Sequence, residues 1–183
     1  MQKLINDPFA VVDEMLDGFV AAHAAKVRRL SEANGRAIVR REAPTAGKVG
    51  VIIGGGSGHE PAFIGYIGRG GADGAAVGNV FASPPPDPAV EAARAVNGGA
   101  GIIFCYGNYS GDVMNFDMAA EELAEEGIEV RTLLVTDDVA SAPKGEEALR
   151  RGIAGDFLIF KILGARAAEM ATLDEVEAAG IKA

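Results

Sequence analysis

The chain has 183 residues, 49% hydrophobic and 23% charged, a composition that suits a single soluble globular domain with a real core. A net charge of −9 and a pI near 4.7 argue against nucleic acid or an anionic membrane as partner, although backbone N–H groups can bind phosphate without a nearby cation. One cysteine, Cys105, excludes a disulfide framework and points to a reducing cytoplasm, and no apolar run approaches the roughly 18 residues of a membrane span.

The N-terminal stretch MQKLINDPFA does not read as a signal peptide, because Asn6 and Asp7 interrupt it before any apolar region. Asp7-Pro8 form a cap and first-turn pair, and Val11, Val12, Met15, Leu16, Phe19 and Val20 then recur at helical spacing over 8–23. His23 ends that helix, where a capping or solvated role is expected. Ala37–Arg41 reads as a short strand. Val49–Ile53, apolar and β-branched, reads as a strand running into GGGSGHEPAF, taken as a glycine turn at 54–58 followed by a short helix over His59–Ile67. Gly74–Val80 is a second strand, and SPPPDP leads from it into a helix at about 89–96.

The alternation then repeats. Gly101–Tyr106 reads as a strand, Asp112–Glu126 as a helix and Val130–Val135 as a strand; a polar loop at Thr136–Gly145 then precedes a helical stretch, and Phe157–Met170 reads as a long apolar helix. Thr172–Glu175 opens one more capped helix shortly before the chain ends, which is expected of the edge of a larger protein. Apolar strands alternating with helices predict an α/β fold: a mostly parallel sheet with helices on both faces, in one domain over 1–183.

Ligands of such sheets sit beyond the carboxyl ends of the strands, which singles out GGGSGHEP and GNYSGD. The first loop fails as a dinucleotide fingerprint, as a nucleophile elbow and as a P-loop. What remains is a nest of N–H groups at a helix N-terminus beside a hydroxyl and an imidazole, suited to a small polyhydroxylated or carbonyl ligand, or else a tight turn alone. His59 serves either as an acid or base or as a structural cap of the turn. Asp112 serves either as N-cap of its helix or as a general base toward a substrate hydroxyl. Asp137-Asp138 are a third candidate, with a capping or solvated pair as the alternative and preferred reading, and Glu121, Glu122, Glu125 and Glu126 read as one solvated helix face. No His, Cys or Asp spacing suits zinc, so no metal is expected on this chain.

KLINDP, GKVGVIIGGGSGHEPAFIGYIG, GNVFASPPPD, GNYSGDVMNF, VTDDVA and RRGIAG, in that order, resemble the N-terminal half of the dihydroxyacetone kinase K subunit. The resemblance implies a phosphotransferase component that binds a short-chain ketose, with Gly56, Ser57, Gly58 and His59 at the substrate, His59 in acid/base chemistry, and Asp112 deprotonating the terminal hydroxyl. It implies no nucleotide on this chain: ATP or ADP with magnesium belongs to a separate L subunit or domain, and the donor is ATP or a phosphotransferase-system protein. A homodimer is expected. Two departures stand out. Many family members carry a lysine where this chain has Gly107, which hints at a four-carbon ketose such as erythrulose. The family also fixes the substrate carbonyl on a histidine in a C-terminal half that has no counterpart here. A non-catalytic ketose-binding or regulatory module is the alternative, and an unrelated α/β hydrolase a third reading that the failed nucleophile elbow disfavours.

Overall fold

The computed structural model describes residues 4–183; Lys3, which opens the KLINDP stretch, lies outside them with Met1 and Gln2. Eleven helices and strands follow in order: α1 (Val11–Ala22), β1 (Val27–Arg29), β2 (Ala37–Arg40), β3 (Gly50–Ser57), β4 (Gly74–Val80), α2 (Pro86–Val96), β5 (Ile102–Gly107), α3 (Ser110–Glu125), β6 (Val130–Val135), α4 (Gly155–Ala168) and α5 (Leu173–Lys182). The six strands form one sheet in the order β1-β2-β4-β3-β5-β6. β4, β3, β5 and β6 are parallel, while β1 and β2 join antiparallel at one edge.

Both faces are covered. Val12 and Leu16 of α1, Phe160 and Leu163 of α4 and Val176 of α5 pack with Val51, Ile53 and Ile103 on one face. Ala89, Ala93 and Val96 of α2 and Phe116, Ala119 and Leu123 of α3 pack with Ile52, Ile102 and Phe104 on the other. Central strands buried on both sides need no polar alternation, which is why they read as apolar runs. β1 was not expected: its three residues, Val27, Arg28 and Arg29, are too short and too charged to carry a strand pattern.

The glycine-dense stretch is corrected by the structure. Gly54, Gly55, Gly56 and Ser57 are not a turn but the end of β3, paired with Ala76, Val77, Gly78 and Val80 of β4. Their glycines answer to close packing. A Cβ on Gly54 would stand 2.7 Å from the Ala76 carbonyl oxygen and 2.8 Å from the Phe116 ring, one on Gly56 2.6 Å from the Ala82 nitrogen, and one on Gly55 would overlap the Phe63 ring. Only Gly58 takes a positive φ, +95°. The helix expected over His59–Ile67 reduces to a single 3-10 turn at Ile64–Tyr66, because Pro61 and a left-handed Phe63 (φ 64°) break any longer run. The nest at a helix N-terminus therefore does not form. The helical stretch expected after the polar loop at Thr136–Gly145 likewise reduces to one 3-10 turn at Glu147–Leu149.

At the amino ends of β3 and β4 lies a buried ion cluster. Asp73, just before β4, accepts from Arg40 Nε at 2.8 Å, Lys48 Nζ at 2.5 Å and the Val51 N–H at 3.0 Å.

Candidate functional site

The opposite edge of the sheet opens into a cavity of about 1250 Å³. Its walls come from Gly54–Gly56 of β3, His59 and Phe63 after it, Phe81–Ser83 after β4, Gly107–Met114 running from β5 into α3, and Arg151, Gly152 and Asp156 around the start of α4. The structure thus brings Gly56, His59 and Asp112 to one place. It does not bring Ser57 or Gly58 into the wall. The Ser57 hydroxyl is buried and donates to the Gly78 carbonyl at 2.8 Å, locking the β3–β4 pairing, and the Gly58 N–H donates to Glu60 Oε2 at 2.8 Å.

His59 stands exposed at the cavity, its ring edge-on to Phe81 (centroids 5.0 Å apart) and to Phe63 (6.4 Å). Two aromatic edges fix the imidazole plane without occupying its nitrogens. Asp112 lies in the first turn of α3. The N-cap position is Tyr109, so the capping alternative for Asp112 does not hold. Its Oδ1 is buried with no hydrogen-bond partner among the described residues. Burial raises its pKa above the ordinary carboxylate value, opposed by the Ser83 hydroxyl, its own N–H and the His59 imidazole. Asn115, one turn further along α3, donates to Ser83 Oγ at 3.2 Å and to the Pro84 carbonyl at 2.7 Å, and so holds that loop beside Asp112.

Asp137 is a structural cap, as its alternative reading had it. Its two oxygens accept from the N–H groups of Ile153 and Gly155, each at 2.7 Å, and tie the end of β6 to the start of α4. Glu121, Glu122, Glu125 and Glu126 are exposed, with Glu122 and Glu126 paired to Arg94. His23 caps α1 through its N–H to the Phe19 carbonyl. Among the described residues, no three His, Cys, Asp or Glu side chains are grouped as metal ligands, and no helix is long and apolar enough to cross a membrane.

One site residue was not singled out in the sequence. Asp156, the second residue of α4, lines the cavity, and its Oδ1 is also buried without a partner. Burial first, then the charges of Asp137 and Asp112, push it up to about 7. The available signal was a lone carboxylate inside the apolar run DFLIF, at the start of a helix whose other inward residues are apolar.

Comparison with known proteins bears on this geometry. Residues 17–183 match the family described as the Dak1 domain. The chain is 49% identical over its full length to the dihydroxyacetone-binding subunit of a PTS-dependent dihydroxyacetone kinase from Listeria innocua, covering 54% of that protein. It is 52% identical over 169 residues to a D-erythrulose kinase from Mycolicibacterium smegmatis, which uses 92% of this chain and 28% of that protein. The crystal structure of the dihydroxyacetone kinase of C. freundii superposes on all of this chain with a TM-score of 0.91 at 39% identity, over 33% of its own length. The chain thus spans about half the length of the first relative and about a third of the solved structure.

Proposed function

The chain belongs to the Dak1 domain family, and on that premise we propose that it is the ketose-binding part of a dihydroxyacetone-type kinase. The observation that carries this reading is the convergence of His59 and Asp112 on one cavity at the carboxyl edge of the sheet, with the Asp112 carboxyl left short of partners. A half-buried carboxyl that keeps one buried oxygen free of protein donors is poised for a ligand hydroxyl, and its raised pKa makes it a better base than a solvated aspartate.

The chemistry is phosphoryl transfer by positioning. Asp112 takes the proton of the ketose terminal hydroxyl as that O–H bond breaks. The freed oxygen forms a bond to the phosphorus of the donor, whose bond to its leaving oxygen breaks in line. His59 faces the same cavity and orients the ketose through its ring nitrogens, and Gly54–Gly56 let the ligand lie against backbone. The nucleotide, ATP or ADP with its magnesium, is held by a partner subunit or domain in this reading. Large apolar side chains at the cavity rim, Phe81, Met114, Leu149 and Ile153 among them, stay exposed and suit the docking of such a partner. The reading includes a pair of such chains and a cytoplasmic setting, which the free Cys105 suits.

Amide chemical-shift mapping with dihydroxyacetone tests the site. Perturbations are expected at Gly54–Gly56, His59 and Gly111–Asp112, with a Kd near or above about 1 mM, because a handful of neutral hydrogen bonds contributes little net affinity. His59→Ala and Asp112→Asn should each weaken binding about tenfold, the loss of one good hydrogen bond. Shifts clustered elsewhere, or affinities unaltered by both substitutions, overturn the assignment.

A further inference from the structure

Asp156 has no part in the chemistry above, yet the fold makes room for it in an unusual way. Its carboxyl lies between two glycines. A Cβ on Gly107, the last residue of β5, would stand 3.2 Å from Asp156 Oδ2; one on Gly152 would stand 2.8 Å from Oδ1. Neither position carries a side chain, so the carboxyl reaches the cavity over bare backbone. α3 and α4 cover opposite faces of the sheet, so Asp112 and Asp156 approach the end of β5 from its two sides and line the same cavity as Gly107. A ligand lying across Gly107 meets one carboxyl at each end.

We propose that Asp156 is a specificity-determining residue of this cavity, hydrogen-bonding a ligand hydroxyl beyond the one that Asp112 takes, so that ketoses with an additional hydroxyl are preferred over shorter ones. The inference rests on the ketose-site reading given above. A hydroxyl is the matching partner because it both donates and accepts. It can pair with Asp156 in either protonation state, and more strongly with the carboxylate, where the hydrogen bond is charge-assisted. A ligand that lacks this hydroxyl leaves a sequestered carboxyl short of a partner, which is how a polar site rejects a smaller analogue. The groups that face Asp156 are Asp112 from α3, Asp137 from the loop after β6, and Cys105 and Tyr109 around the end of β5, while Arg151 before α4 acts on Tyr109. All four, Asp112, Asp137, Cys105 and Tyr109, are acids, and Arg151 is a cation lining the same wall.

The test is calorimetric titration of the chain with dihydroxyacetone and with erythrulose, for the unsubstituted protein, Asp156→Leu and Asp156→Asn. The unsubstituted protein should favour erythrulose by about tenfold, the worth of one added hydrogen bond. Asp156→Leu, which keeps the branching at Cγ with a larger side chain, should erase that preference while leaving dihydroxyacetone within about twofold, and the isosteric Asp156→Asn should keep most of it. The preference of the unsubstituted protein should rise as pH climbs through about 7, where the carboxylate forms, and that of Asp156→Asn should be flat, which gives a reading even if the leucine variant does not fold. A preference that survives in the leucine variant, or identical pH profiles for the aspartate and asparagine proteins, overturns the inference. If His59→Ala and Asp112→Asn weaken both ketoses while Asp156 substitutions alter nothing, the site stands and only this inference falls. If no ketose binds the unsubstituted protein, the site reading falls and takes the inference with it.

Discussion

Aspartates with buried carboxyl oxygens stand at both edges of the parallel sheet, and they are treated in opposite ways. At the amino edge Asp73 is saturated: two cations and a backbone N–H meet its two oxygens, and Arg40 also donates to Thr45 Oγ1 at 2.9 Å. At the carboxyl edge Asp112 and Asp156 each keep a buried oxygen with no partner. A carboxylate removed from water is stable only when paired. The lesson is that burial alone does not separate a structural acid from a functional one. The count of partners does, and the acids with an unpartnered oxygen lie where a ligand can complete them.

Three substitutions test this contrast. The largest effect is expected of Asp73→Ala, which strands Arg40 and Lys48 as buried cations and should cost about 3–5 kcal/mol in urea unfolding. A loss below about 1 kcal/mol would show that the cluster contributes little and would end the comparison on its structural side.

Asp156→Asn should instead stabilise the fold, and with a definite pH dependence. The folded pKa is raised from 3.8 to about 7, so ionisation carries a penalty that is absent below about pH 4 and complete above about pH 7. The amide escapes that penalty. Its advantage over the unsubstituted protein should therefore rise through this window to at most about 4 kcal/mol, at about 1.4 kcal/mol per pKa unit. Thermal unfolding at pH 4, 6 and 8 measures it, and an advantage that shrinks as pH rises would contradict the assignment.

The smallest effect is expected of Asp112→Asn on stability. Its pKa is raised as well, so the amide should lie within about 1 kcal/mol of the parent at pH 7, on the stabilising side. The ketose affinity lost by the same variant would then belong to the ligand contact alone. A destabilisation as large as that of Asp73→Ala would place Asp112 with the structural acids.

Much of this arrangement is legible in the chain itself. Val130–Val135 is found as read, and the capped start at Thr172 forms a full capping box with Glu175. The convergence of His59 and Asp112 follows from placing two polar loops at carboxyl ends of strands. What escaped reading depends on contacts distant in sequence. Nothing near Gly54–Ser57 shows that Ala76, Phe116 and Ala82 press against that backbone, so a strand looks like a turn. Asp156 is invisible as a site residue for the same reason: its place is set by Gly107, 49 positions earlier, and by a neighbour, Asp112, on the far face of the sheet. Ser57 reads as a ligand-facing hydroxyl only until its Gly78 partner is known.

The glycines of β3 have a thermodynamic consequence for recognition. Gly54–Gly56 give the cavity a wall made of main chain, already held in a parallel ladder with β4. Immobilising a rotamer-rich side chain on binding costs roughly 0.5–1.5 kcal/mol each, and this wall has none to immobilise. It is also a wall that single substitutions cannot retune, since any added Cβ strikes backbone or an aromatic ring. Adjustment to a different ligand is left to the side chains facing it, so that one invariant surface can serve several substrates while the opposite wall carries the discrimination.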